Sequence, residues 1–241
     1  MIGKAFKVVW QALRDTWGDL FMLSALNLIW FLGGFSGLFL ATLVKVWYPG
    51  LLAIVTYPIA TAAIYPVAYR VARGKTFHLS DYWDGVKAYW WRAILWFLAN
   101  ILVIILWYVN LDFYAQQIPR IWNLPQIPAV WPLILINGFW TSLFFVWLLT
   151  QMHFWPMMMV QEESNIVRAW RNSVILVLRF PVFSIIVGIL SVILIVLSTV
   201  LVAPLFLFMM GLVAVLYSNA TLTLLVEAGI IEGDYRPDYT R

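Results

Sequence analysis

Apolar residues fall into six long stretches, at residues 20–46, 51–72, 93–114, 131–160, 173–199 and 204–226. Each reaches or exceeds the roughly 20 residues that a helix needs to cross a hydrocarbon core. The pattern predicts an all-α, polytopic membrane protein: six transmembrane helices forming a single domain over residues 1–241. Between the first two stretches stands only Trp47-Tyr48-Pro49-Gly50, a turn signal that predicts a tight hairpin. The fifth and sixth are joined almost without a loop near Ala203-Pro204.

The connecting segments carry a second pattern. In residues 74–92, Ser80 or Asp81 can cap a helix in which Tyr82, Val86, Tyr89 and Trp90 recur at helical spacing. Residues 161–172 play the same part before the fifth crossing. Both are expected to be short amphipathic elbow helices lying in the cytoplasmic interface. Val86-Lys87-Ala88-Tyr89 in one matches Val167-Arg168-Ala169-Trp170 in the other, a likeness short enough for either an old duplication or chance to leave. The segment 116–132 holds Pro119, Pro125, Pro128 and Pro132, a density that predicts an extended strap. Pro156 and Pro181 are expected to break helices near the inner surface.

Charge decides the orientation. Lys4, Lys7 and Arg14 precede the first crossing; Arg70, Arg73, Lys75, Lys87 and Arg92 lie between the second and third. Arg168, Arg171 and Arg179 flank the start of the fifth, and Arg236 and Arg241 close the chain. Only Lys45 and Arg120 fall on the other side, so thirteen of the 15 basic residues share one face. Cytoplasmic loops carry such an excess, which predicts both termini in the cytoplasm. With charged residues at only 11%, the chain cannot cover a water-facing surface. The net charge of +4 does not point to nucleic acid, because the cations sit at the ends of apolar segments. No short apolar run with a small-residue cleavage site opens the chain, so no removable signal peptide is expected.

Fifteen tryptophans are present. Trp47, Trp107, Trp122 and Trp131 are expected at the outer boundary, and Trp10, Trp17, Trp83, Trp90, Trp91, Trp155 and Trp170 at the inner one. Trp30, Trp96, Trp140 and Trp147 fall deeper, where packing or lipid contact suffices to explain them.

Candidate sites are the polar residues within apolar stretches, since these need partners there. Asn27, Asn100, Asn137 and Asn219 suit hydrogen bonds between helices, each worth roughly 0.6–2 kcal/mol. Asp112, with Asn110 beside it, is expected to cap a helix end or pair with Lys45 or Arg120; a proton or cation site is the alternative. Arg179, before Pro181, is expected to snorkel or to bond carbonyls that the proline frees, with Glu162 and Glu163 as candidate partners. Arg168 belongs to the second elbow. The midplanes of the fifth and sixth crossings read as almost purely aliphatic. Cysteine is absent, and haem is not expected, because its two axial histidines would have to be His78, in a loop, and His153, near the end of the fourth crossing. With no HExxH, phosphate loop or Ser/His/Asp spacing, the sequence offers no catalytic, cofactor or metal constellation.

A resemblance adds to this reading. Leu26-Asn27-Leu28-Ile29-Trp30, the stretch Pro58 to Tyr65, Arg73-Gly74, and Asp81-Tyr82-Trp83-Asp84-Gly85-Val86-Lys87 follow the pattern of one family. So do the stretch Tyr108 to Tyr114, Pro156, Arg171-Asn172-Ser173 and Arg179-Phe180-Pro181. In this order they resemble the YesL-like proteins of domain of unknown function 624. The resemblance implies a six-helix bacterial membrane protein, often encoded beside sugar-importing ABC transporters. The chain departs from the pattern by a longer stretch between Trp30 and Pro58 and by its tryptophan content. Residues 162–181 also loosely resemble the coupling motif of ABC importer permeases, although an amphipathic elbow accounts for them more simply.

Three functional expectations follow. The first is a non-catalytic accessory or assembly subunit bound to another membrane protein, by the resemblance a carbohydrate-importing ABC transporter. The second is a structural subunit of a respiratory or photosynthetic complex. The third, a transporter in its own right, has the least support, because no polar file crosses the midplane in the sequence.

Overall fold

The computed structural model describes residues 1–122, 130–202, 204 and 207–231. These hold nine α-helices and no strand. In chain order they are α1 (Ile2–Gly18), α2 (Leu20–Gly34), α3 (Ser36–Val44), α4 (Leu52–Ala72) and α5 (Leu79–Trp122). Then follow α6 (Val130–Val160), α7 (Ile166–Arg179), α8 (Pro181–Leu201) and α9 (Met209–Glu227). A 3₁₀ turn at Tyr48–Leu51 closes the α3–α4 hairpin where Pro49-Gly50 announced it. The protein is an all-α polytopic membrane protein.

Five helical spans are long and apolar enough to cross a membrane: Tyr48–Ala72, Leu79–Tyr114, Pro132–Val160, Pro181–Leu201 and Met209–Glu227. The first expected crossing, 20–46, is not one helix. It divides at Phe35 into α2 and α3, after the weak helix formers Gly33 and Gly34. The break leaves carbonyls without helical partners. Ser36 Oγ donates to the Gly33 carbonyl at 2.9 Å, and Thr56 Oγ1 of α4 donates to the Gly34 carbonyl at 2.9 Å. Such substitutes are what an apolar medium demands, because no water is there to take over.

The helix α1 is one that hydropathy alone does not announce. Ala5, Val8, Ala12 and Thr16 form its buried face at helical spacing, while Lys4, Lys7 and Trp10 lie exposed. It meets α2 at Asp19 with a bend of 92°; taken together, α1 and α2 are a sixth apolar span. The helix packs on α9 and α8. An ion pair from Lys4 to Glu227 ties its first turn to the last residue of α9, and Asn219 Nδ2 donates to Asp15 Oδ2 at 3.0 Å.

The two expected elbows differ in outcome. The first is no separate helix: residues 79–92 are the opening turns of α5, which runs unbroken through Pro119 for 44 residues. Its first turn is capped, with the Asp81 carboxylate accepting from the His78 N–H at 2.9 Å, and nothing after it interrupts the helical ladder. Pro119 therefore lies in helix, while Pro125 and Pro128 fall outside the described residues. The second elbow exists as α7, capped by the Asn165 side chain, which accepts from the Arg168 N–H at 3.1 Å. It extends seven residues further than expected, to Arg179. Pro181 then starts α8, having forced Phe180 out of helical geometry, with φ −130° and ψ 56°. Pro156, in contrast, is carried inside α6 without ending it, as are Pro58 and Pro66 in α4.

At the centre stands α9. Within its apolar window 78% of residues are buried inside the protein, against 6% for α5 and for α6. Neighbours α1, α2, α4, α6 and α8 surround it. Gly211, Ala214, Ser218 and Ala220 present little bulk, so neighbouring helices approach closely; Leu23 of α2 packs directly over Gly211. Trp30, Trp96 and Trp155 join the same core, so helix packing rather than lipid surrounds them. Trp10, Trp17, Trp47, Trp83, Trp90 and Trp91 do remain exposed.

The α3–α4 hairpin yields a sharp test. A Cβ on Gly37 would stand 2.5 Å from the Pro49 carbonyl oxygen and 2.8 Å from the Ala53 nitrogen, both fixed backbone. Gly37→Ala is expected to cost about 1–3 kcal/mol through overpacking. Gly3→Ala, in open space, is expected to be neutral. Thermal unfolding of the two purified variants in one detergent checks the contrast, and equal midpoints would contradict the close approach.

Candidate functional site

Three polar seams join helices within the bundle. The first joins α2 to α9. Asn27 is fully buried, and its Oδ1 accepts from the Met210 N–H at 2.8 Å. Phe208, at the N-cap position of α9, has no side-chain acceptor, so Asn27 satisfies an exposed donor of the first turn from 183 positions away. The bond fixes the register between these helices.

The second seam joins α6, α8 and α9. His153 is fully buried; its Nδ1 lies 2.8 Å from Thr221 Oγ1 and its Nε2 3.4 Å from Ser184 Oγ. Tyr217 donates to Ser191 Oγ at 3.2 Å one layer away. These contacts correct the aliphatic reading of the fifth and sixth crossings. Ser184 and Ser191 of α8, with Ser218, Asn219 and Thr221 of α9, are all buried. Both imidazole nitrogens are engaged by hydroxyls, which leaves His153 a packed, hydrogen-bonded residue.

The third seam is a ladder between α5 and α6. Trp96 Nε1 donates to Gln151 Oε1 at 3.1 Å, and Trp147 Nε1 donates to Asn100 Oδ1 at 3.0 Å. Asn100 Nδ2 and Gln151 Nε2 return bonds to the carbonyls of Trp96 and Trp147. Asn100 thus acts between helices as the sequence suggested. Beyond this ladder lies an apolar cavity of about 320 Å³ lined by Trp107, Trp140, Trp147 and Trp170 among others. The Trp107 ring stacks on Phe144, and its Nε1 is buried without an acceptor.

The remaining candidates are less connected. Asp112 is exposed and accepts from Gln116 Nε2 of its own helix at 2.7 Å; it does not pair with Lys45. Asn110 Nδ2 donates to the Leu106 carbonyl one turn back. Neither reaches another helix through these bonds. Glu163 pairs with Arg168 at 3.7 Å rather than with Arg179, and Glu162 is exposed. Arg179, expected two turns inside a crossing, is the exposed last residue of α7. Its guanidinium lies over the Phe180 ring, 5.5 Å from the centroid. There it complements the negative helix end, a favourable place for a cation.

One cluster that reads in the sequence only as a topology signal is spatially organised. Where α4 ends, Gly74 adopts φ +66° and the Lys75 N–H bonds back to the Arg70 carbonyl at 2.9 Å, closing the helix. Tyr69, Arg70, Arg73 and Lys75 then line one cleft with Pro66 and Met159. The signal was visible as three cations in six residues around a glycine, but the cleft needs α6 to supply its far wall.

Among the described residues no three His, Asp or Glu side chains gather as a metal site would require. Comparison with known proteins finds no family whose pattern matches the chain, no curated protein of similar sequence and no solved structure of similar fold. The class of protein, a polytopic helical membrane protein, thus rests on the helices themselves.

The contrast between Asn27 and Asp112 is testable. Asn27→Ala leaves a buried N–H unpaired and is expected to lower stability by about 1–3 kcal/mol. Asp112→Asn keeps an oxygen that can accept from Gln116, removes only an exposed charge, and is expected to change stability by less than about 0.5 kcal/mol. Detergent unfolding titrations of the two variants measure both. A larger loss for Asp112→Asn than for Asn27→Ala would make Asp112, not Asn27, the residue that holds helices in register.

Proposed function

We propose that this protein is a non-catalytic accessory or assembly subunit of a larger membrane complex. The resemblance to YesL-like proteins makes a carbohydrate-importing ABC transporter the first expected partner, in a bacterial cell membrane with both termini cytoplasmic. The observation that carries the proposal is the α5–α6 hairpin. At 44 residues, α5 is about 66 Å long, roughly twice the thickness of a hydrocarbon core. With 31 residues, α6 also exceeds α8 and α9, of 21 and 19. In the apolar window of each only 6% of residues are buried within the protein, and Leu102, Ile105, Val109, Leu135, Phe139 and Phe145 are exposed. Lipid covers part of such a surface. An apolar helix longer than the core offers the remainder to another protein.

The interior supports the same reading. Its polar groups pair across helices and hold the bundle in register, with Asn27, His153 and Asn100 each committed to a named partner. A solute pathway needs polar groups that face an aqueous file instead.

Isolation of the tagged full-length chain in mild detergent, with a photocrosslinking residue at Phe139 or Phe145, tests this. Crosslinks to an ABC permease, with its ATPase recovered alongside, are the expected result. Crosslinks to respiratory or photosynthetic subunits would move the protein to a bioenergetic complex. A purified chain that moves a solute into liposomes without any partner would overturn the accessory role.

A further inference from the structure

The cleft at the end of α4 has a composition that its neighbours do not explain. Its polar lining is Arg70, Arg73, Lys75 and Tyr69, and its apolar wall is Pro66 and Met159. The volume, about 340 Å³, lies at the small end of the range for ligand pockets. One carboxylate serves these three cations: Asp81 pairs with Arg70 at 3.5 Å while its second oxygen caps α5 through the His78 N–H. Among the described residues neither Arg73 nor Lys75 has a carboxylate partner. Arg73 Nε is buried with no acceptor, and its Nη1 reaches only Tyr69 Oη, at 3.4 Å.

Cations at a helix C-terminus complement its dipole, which explains their presence there but not their arrangement. The dipole satisfies no N–H, and the Tyr69, Arg70 and Val71 carbonyls are already bonded by the N–H groups of Arg73, Lys75 and Gly74. What remains is a set of donors: a guanidinium fork, an ammonium and a phenol. A ligand that fits them must be an anion rich in acceptor oxygens. Guanidinium groups match phosphate in two-point geometry, and lysine adds a mobile point charge. The Pro66 and Met159 wall suits the apolar shoulder of a lipid headgroup better than a fully hydrated ion.

We propose that this cleft is a phosphate-binding site, occupied by the headgroup of an anionic phospholipid from the leaflet that the basic residues face. Basic pockets between membrane helices bind such headgroups by these forces. The site is formed by α4, the turn that follows it and Met159 of α6, and needs no partner complex to exist.

The test uses the full-length chain in phosphatidylcholine nanodiscs, titrated with phosphatidylglycerol or cardiolipin, and separately with inorganic phosphate. Thermal unfolding reports binding. The wild type is expected to show a saturable rise in midpoint with anionic lipid. Arg73→Gln and Lys75→Gln should each weaken that response about tenfold or more, as loss of one charge-assisted bond does. Lys87→Gln removes the same charge from an exposed ion pair with Asp84 and should leave the response unchanged. Lys75→Gln lies beyond the end of α4, so it remains informative if Arg73→Gln folds poorly. A rise with inorganic phosphate alone, lost in the same variants, would support the site and identify its ligand as soluble. A response equal in wild type and both cleft variants, or no response in wild type to either ligand, would overturn it.

Discussion

In a medium without water, every backbone group released by a break in a helix has to find a protein partner, and the rest of this architecture follows from that constraint. Where α2 ends at Gly34, Ser36 and Thr56 take up the freed carbonyls. Where α9 begins, Asn27 accepts a first-turn N–H that the local chain leaves without a side-chain cap. Where α4 ends, Gly74 turns the chain so that Lys75 closes the last turn. These breaks stand where a nearby group can reach them, and the repairs made by Thr56 and Asn27 each tie two helices in register.

Such ties explain why α9 occupies the centre. It is capped from α2, donates to Asp15 of α1 through Asn219, shares a hydrogen bond with His153 of α6 and holds an ion pair at its last residue. Small residues along its length admit close neighbours, and dispersion between closely packed helices replaces the hydrophobic effect that lipid cannot supply. At α5 and α6 the Trp96, Asn100, Trp147 and Gln151 ladder joins the two helices, while Asp81 ties the start of α5 to α4 and His153 ties the end of α6 to α8 and α9. They leave their remaining faces to the surroundings. A rigid, tied interior beside a long apolar hairpin is the division expected of a protein that presents one surface to a partner and one to lipid.

Charge is distributed by the same logic. Lys4 with Glu227, Arg70 with Asp81, and Glu163 with Arg168 lie at helix ends, where water and headgroups reduce the cost of an ion. Exposed pairs of this kind contribute little stability individually. Their placement matters more than their strength, because they leave Arg73 and Lys75 of the cleft without a carboxylate.

Several features were legible in the residues alone. Apolar stretches longer than a bilayer is thick dictate helices, Pro49-Gly50 marks a hairpin, and Pro181 ends whatever precedes it, because these depend on local chemistry. The elbow at residues 79–92 misled for a physical reason: an amphipathic opening and an apolar continuation look like two elements, but a helix with an unbroken ladder has no cause to stop between them. The break at Phe35 and the burial of α1 were equally hidden, since both require a partner helix to supply bonds or cover a face. Hydropathy likewise ranks α8 above α9, yet α9 is the core. Local sequence determined that this polypeptide is helical, membrane-embedded and divided into crossings. Only tertiary structure decided which helix is central, which asparagine bonds to which turn and which cations share a cleft. Those outcomes depend on groups nearly two hundred positions apart being brought within hydrogen-bonding reach, as Asn27 and Met210 are, 2.8 Å from each other.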